Sequence, residues 1–104
     1  MKGIFMEIIK NYNEKELTLA IEGRIDTITS QELDKEINAE SGNFDSLIMD
    51  LTDLEYISSA GLRVLIATQK KLKSDDIPFV IKTVNDTVGE IFRMSGFDKI
   101  LKIE

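Results

Sequence analysis

The stretch Met49-Asp50-Leu51-Thr52-Asp53-Leu54-Glu55-Tyr56-Ile57-Ser58-Ser59-Ala60-Gly61-Leu62 lies in the middle of a chain of 104 residues. It reads as a strand that passes through a loop into a helix. Leu47 to Leu51 is a short apolar run of the kind that fills the centre of a sheet. Tyr56 to Gly61 is the turn, and the helix that follows reaches about Lys73. On a 3.6-residue wheel Leu62, Leu65, Ile66 and Leu72 share one face, which makes the core stripe. Arg63, Val64, Ala67, Lys70 and Lys71 lie on the other side.

Working outward, Phe5 to Ile9 and Leu17 to Ile21 are apolar-rich runs separated by Asn11, Asn13 and Glu14, the pattern of a β-hairpin. Gly23 is expected to end the second strand. Thr29 and Glu32 have the spacing of a capping box, which predicts a helix from about Ser30 to Ala39 with Leu33 and Ile37 inward. Ser41-Gly42-Asn43 ends it. On the other side, Ser74 to Pro78 is a breaker loop and Phe79 to Lys82 the next strand. Asn85 caps a third helix, with Val88, Ile91 and Phe92 inward and Gly96 as its stop. Ile100 to Ile103 forms a last short strand. The expected order is β-β-α-β-α-β-α-β. It describes a single α/β domain over residues 1–104, with a mixed sheet of about five strands and helices packed against it by right-handed crossovers.

Composition narrows the chemistry. The chain is 42% apolar and 31% charged, a globular profile, and carries a net charge of −6. That charge repels phosphate backbones and argues against nucleic acid as a direct partner. There is no histidine, which removes the Ser-His-Asp triad, the histidine general base and the usual zinc sites together. There is no cysteine, so disulfides say nothing of the compartment. No apolar run approaches a membrane span, and the start MKGIFMEIIK lacks a signal-peptide cleavage pattern. The expectation is a cytoplasmic, non-catalytic protein without cofactor, metal or membrane partner.

The central stretch resembles the signature of the STAS family of bacterial anti-sigma factor antagonists. There a strand ends in Asp-Leu, a loop follows, and Asp-Ser-x-Gly-Leu opens a helix. Gly23-Arg24-Ile25-Asp26 is similar to that family's Gly-x-(Ile/Leu)-Asp turn, at a fitting distance from Ser59. Met94-Ser95-Gly96-Phe97-Asp98-Lys99-Ile100 is similar to the segment leading into its last strand. Many family members continue into a further helix, whereas this sequence ends at Glu104 directly after the last expected strand. The resemblance implies a binding protein that, unphosphorylated, holds an anti-sigma factor with serine-kinase activity and so frees a sigma factor. Phosphorylation of the motif serine breaks the complex, and a serine phosphatase restores it. Counting back from Gly61, that serine is Ser59. The family's Asp is replaced by Ser58, which makes Ser58 the second candidate. An alternative within the same resemblance is an interaction or ligand-sensing module that serves another assembly.

Each of these residues also has a plainer reading. Ser58 and Ser59 suit helix N-caps. Gly61 relieves crowding where the helix start meets the sheet. Asp26 is either a turn carboxylate or part of the partner surface. Arg24 is either a solvated charge or a phosphate partner. Arg63, Lys70 and Lys71 read as a solvated face, but Val64 and Ala67 among them suit a contact surface. The expected partner-binding set is Arg24, Asp26, Ser58, Ser59, Gly61, Arg63, Val64 and Ala67.

Overall fold

Alternation along one strand organises the whole structure. In Glu16–Ile25 the odd positions Leu17, Leu19, Ile21 and Ile25 are buried, as a strand with one covered face requires. The structure is a computed structural model that describes residues 5–104. Its elements are β1 (Met6–Asn13), β2 (Glu16–Ile25), α1 (Thr29–Ala39), β3 (Ser46–Asp50), β4 (Leu54–Ile57), α2 (Ser59–Ser74), β5 (Phe79–Lys82) and α3 (Asp86–Ser95). A single 3₁₀ turn, Phe97–Lys99, follows. β1 pairs antiparallel with β2; β2 pairs parallel with β3, and β3 with β5. β4 continues the line of β3 along the end of β2, also in parallel.

The covered face carries Leu17, Leu19, Leu47, Met49, Phe79 and Ile81. They share one core with Leu33 and Ile37 of α1, Leu62, Leu65 and Leu72 of α2, and Val88 and Phe92 of α3. On the opposite face Thr18, Ile48 and Val80 stay half-exposed. At the N-terminal ends of the parallel strands, the hairpin grips α1. Tyr12 Oη donates to Glu40 Oε1 at 2.6 Å, and Lys10 Nζ meets Glu36 and Glu40 at 2.6 and 2.9 Å.

The five-stranded mixed sheet and the helix assignments match the expectation, with differences in detail. The hairpin strands are longer: Asn11 and Asn13 lie within β1, and the turn is Glu14-Lys15, with Glu14 at φ 56°. Gly23 does not end β2. It sits at φ 93° where the register shifts, and the strand continues to Ile25. The capping box between Thr29 and Glu32 does not form; α1 starts after Ile28, which has no side-chain cap, because Asp26 binds the free N–H groups instead. Leu54–Ile57, expected as loop and turn, is a strand, so the order becomes β-β-α-β-β-α-β-α. The expected strand at 100–103 reduces to one parallel bridge between Ile81 and Ile103. Ile66 and Ile91 are half-buried rather than fully inward. Asn85 caps α3 by accepting from Val88 N at 2.9 Å, and Gly96 closes it at φ 79°.

Gly23 is needed for two reasons. Its backbone is left-handed, and a Cβ there would lie 2.4 Å from Phe5 O, the carbonyl that accepts from Arg24 N. Gly42 shares the left-handed backbone, φ 87°, but faces open space. Gly23→Ala is therefore expected to cost on the order of 3 kcal/mol, from strain and clash together. Gly42→Ala is expected to cost about 1 kcal/mol, from strain alone. Urea denaturation of the two variants measures the difference.

Candidate functional site

The site forms where β2 and β4 end side by side. Ile25 pairs with Ile57, and the next residue, Ser58, donates its N–H to Ile25 O at 2.8 Å. This bond turns the chain out of the sheet and into α2. Ser58 is extended (φ −86°, ψ 172°) and occupies the N-cap. Its Oγ accepts from Gly61 N at 3.2 Å, and its carbonyl accepts from Leu62 N at 2.9 Å. Ser59 is the first residue of the helix and is exposed. The two hydroxyls are thus placed differently. Ser58 is half-buried and engaged, whereas Ser59 faces solvent.

Gly61 brings the helix start this close to the sheet. A Cβ at that position would lie 2.6 Å from Ile25 Cγ2 and 2.7 Å from Ile57 Cγ1. Gly61 is buried, so it shapes the site from below and offers no contact surface, which corrects its place in the expected partner-binding set. The first turn of α2 contains no acidic residue. Its free N–H groups and dipole favour negative charge.

Asp26 begins the adjacent turn. Its Oδ1 accepts from Ile28 N at 2.9 Å and Thr29 N at 2.8 Å, while Thr29 Oγ1 accepts from Asp26 N and donates to Arg24 O. Asp26 Oδ2 is buried without a partner among the described residues. The Thr29 N–H, then the Thr29 hydroxyl, the Ile28 N–H and the Arg24 charge hold the Asp26 carboxyl below its usual range against the effect of burial. Arg24 lies over the ring of Tyr56, 4.5 Å from its centroid, in a cation–π contact between β2 and β4.

The other expected residues spread along α2. Arg63 is exposed, one turn beyond Ser59. Val64 is half-buried and packs on the core, and its carbonyl accepts from the buried Thr68 at 2.8 Å. Ala67 is exposed but lies about 12 Å further along the helix than Ser59. There it lines a hollow between α1 and α2 with Ile37, Phe44 and Lys71. Ala67 therefore does not share the surface around Ser59.

Sequence reasoning missed what does share it. Tyr56, Ile57, Leu62, Ile91 and Met94 line an open groove with Ser59, between the start of α2 and α3. Met94 is 80% exposed, and Ile28, in the Asp26 turn, 65%. The spacing of Ile91, Met94 and Ser95 on one side of α3 was the available clue.

A STAS domain profile matches residues 6–104. The chain belongs to the STAS family. A Bordetella bronchiseptica protein that carries the name anti-sigma factor antagonist BtrV is 31% identical over 88 residues, covering 84% of this chain and 76% of that one. The anti-sigma-F factor antagonist RsfB of Mycobacterium tuberculosis is 29% identical over 82% of this chain and 70% of its own. Among solved structures, an anti-sigma factor antagonist from Mycobacterium paratuberculosis superposes with a TM-score of 0.88 at 22% identity, over 98% of this chain and 87% of that one. Unphosphorylated SpoIIAA does so with 0.79 at 14% identity, over 94% and 88%. These two establish a common STAS fold. Among the described residues no helix is long and apolar enough to cross a membrane.

The geometry of this turn sets a stability ranking and an acid dependence. Ser58→Ala is expected to lose about 1 kcal/mol of stability with its cap, and Gly61→Ala about 1–3 kcal/mol by overpacking. Ser59→Ala is expected to stay within about 0.5 kcal/mol of the parent. Chemical denaturation ranks the three. The Asp26 carboxylate, with its lowered pKa, stabilises the fold fully above the ordinary value of about 3.9, and this is lost as pH falls through the lower folded value. Asp26→Asn should then lose Tm less steeply than the parent below about pH 4, as read by thermal melts across the acid range.

Proposed function

We propose that this chain is an anti-sigma factor antagonist, and that phosphorylation of Ser59 switches it off. The observation that carries the reading is the division between the two serines: Ser58 caps the helix, and Ser59 stands exposed beside an apolar groove. The names of the relatives from Bordetella bronchiseptica and Mycobacterium tuberculosis support the antagonist role. In this reading the unphosphorylated chain binds an anti-sigma factor that is also a serine kinase, and a sigma factor is released in the cytoplasm. The kinase moves the γ-phosphoryl group of ATP to Ser59 Oγ, with ADP leaving, and a serine phosphatase hydrolyses the ester. The chain itself is a regulator and not a catalyst.

The sign of the switch follows from solvation. A phosphate adds roughly −1.5 to −2 charge. On the free domain it sits at a helix start, where N–H groups and the dipole tolerate it. Under a docked partner it must shed water, at a cost of several kcal/mol unless cations meet it. A loss of about 2.7 kcal/mol already weakens binding roughly a hundredfold.

The test is phosphate transfer with the purified anti-sigma factor kinase and ATP, mapped by mass spectrometry, with binding measured by calorimetry. Parent and Ser58→Ala are expected to accept one phosphate at Ser59; Ser59→Ala accepts none and keeps full affinity. Ser59→Asp binds more weakly than the parent but less weakly than phosphate would make it. Equal affinity of unmodified, phosphorylated and Ser59→Asp protein would refute the switch and leave an interaction module of another kind.

A further inference from the structure

The groove beside Ser59 differs from the surface around it. Nearly a third of the chain is charged, yet among the described residues no charged side chain lines this groove. Its lining is Tyr56, Ile57, Leu62, Ile91 and Met94, with the hydroxyls of Ser59 and Ser95. Leu62 and Ile57 are buried, Ile91 is half-buried, and Met94 stands outermost with most of its side chain in water. An exposed methionine over an apolar hollow is a flexible, polarisable contact that adapts to a partner. Ser59 lies on the same groove, so a kinase that brings a phosphoryl donor to Ser59 Oγ must close over it. A second copy of this chain brings no phosphoryl donor.

We infer that the groove seats an apolar side chain of the anti-sigma factor kinase, and that Met94 is its principal contact on this chain. The inference rests on the reading of Ser59 as the switch and adds the part of the surface that holds the kinase there. It also explains why one modification would act strongly. Among the described residues no cation lines the groove itself, so a phosphate at Ser59 would set a dianion beside the apolar contact, where a docked partner strips its water.

The experiment compares Met94→Ser, Met94→Lys and, on the opposite face of the sheet, Ile9→Lys. Ile9 is 44% exposed and pairs with Ala20 away from the core, so it controls for general loss of apolar surface. Circular dichroism checks that each variant is folded, as the exposure of both positions leads one to expect. The purified anti-sigma factor kinase of the same organism is the probe, with Kd by calorimetry and kcat/KM for Ser59 phosphorylation as readouts. Both Met94 variants are expected to bind at least about tenfold more weakly, with kcat/KM falling in step, and Ile9→Lys to stay within about twofold of the parent. The Met94 methyl resonance should shift on complex formation. If the parent binds and is phosphorylated but the Met94 variants match it, the groove assignment is wrong and the Ser59 reading stands. If Ile9→Lys alone weakens binding, docking belongs to the open sheet face and the inference is overturned. If the parent neither binds nor accepts phosphate, the Ser59 reading fails and this inference fails with it.

Discussion

Everything at the functional end of this domain depends on one close approach: the backbone of Gly61 against the side chains of Ile25 and Ile57. Those two isoleucines come from neighbouring strand ends, so the contact joins β2, β4 and α2 at a point. A side chain at position 61 would push the helix start away from the sheet. The bond from Ser58 N to Ile25 O and the cap from Gly61 N to Ser58 Oγ would then lose their geometry together. Burial of apolar surface at this junction thereby fixes the polar groups above it, and the position of Ser59 is a by-product of packing.

The paired serines show how one residue type serves two ends. A hydroxyl that caps a helix is held, and a held hydroxyl is a poor acceptor for a modifying enzyme. By giving the cap to Ser58, the turn leaves Ser59 unburdened. The carboxylate that the family places before its serine is absent here, and Ser58 takes over the capping that such a carboxylate could perform. Asp26, in the adjacent turn, is committed to that turn through Ile28, Thr29 and the Thr29 hydroxyl. The surroundings of Ser59 are consequently shaped by apolar groups more than by charge.

How much of this was legible depended on how local each determinant is. The α2 stripe of Leu62, Leu65 and Leu72, the Asn85 cap and the Gly96 stop are decided within a few residues, and the sequence pattern located them. β4 was not legible, because Leu54–Ile57 is only four residues long and becomes a strand by pairing with β2, some thirty positions earlier. Gly23 looked like a strand end because glycine punctuates chains; the partner that lets β2 run past it is that same β4. The Thr29–Glu32 spacing misled because Asp26, three residues upstream, reaches the free N–H groups first. The motif pointed to Ser59, Ser58, Arg24 and Asp26, and the structure sets the two serines at the start of α2 beside the Asp26 turn. The role of Gly61 as packing, the distance of Ala67 and the presence of Met94 are tertiary facts that no short window contains.

The strand connectivity has a consequence for the order in which the chain acquires its function. β1 and β2 meet through a two-residue turn, a closure with little entropic cost. The partners of β2 on its other edge arrive only after α1 and a long crossover, and such non-local pairings form late in folding. Ser58 is anchored to Ile25 by one of these late pairings. A nascent or partly folded chain therefore carries the serine motif in its sequence without displaying the capped, exposed serine in space. In the proposed reading, a kinase that needs the capped turn would meet Ser59 only in a chain whose sheet is complete.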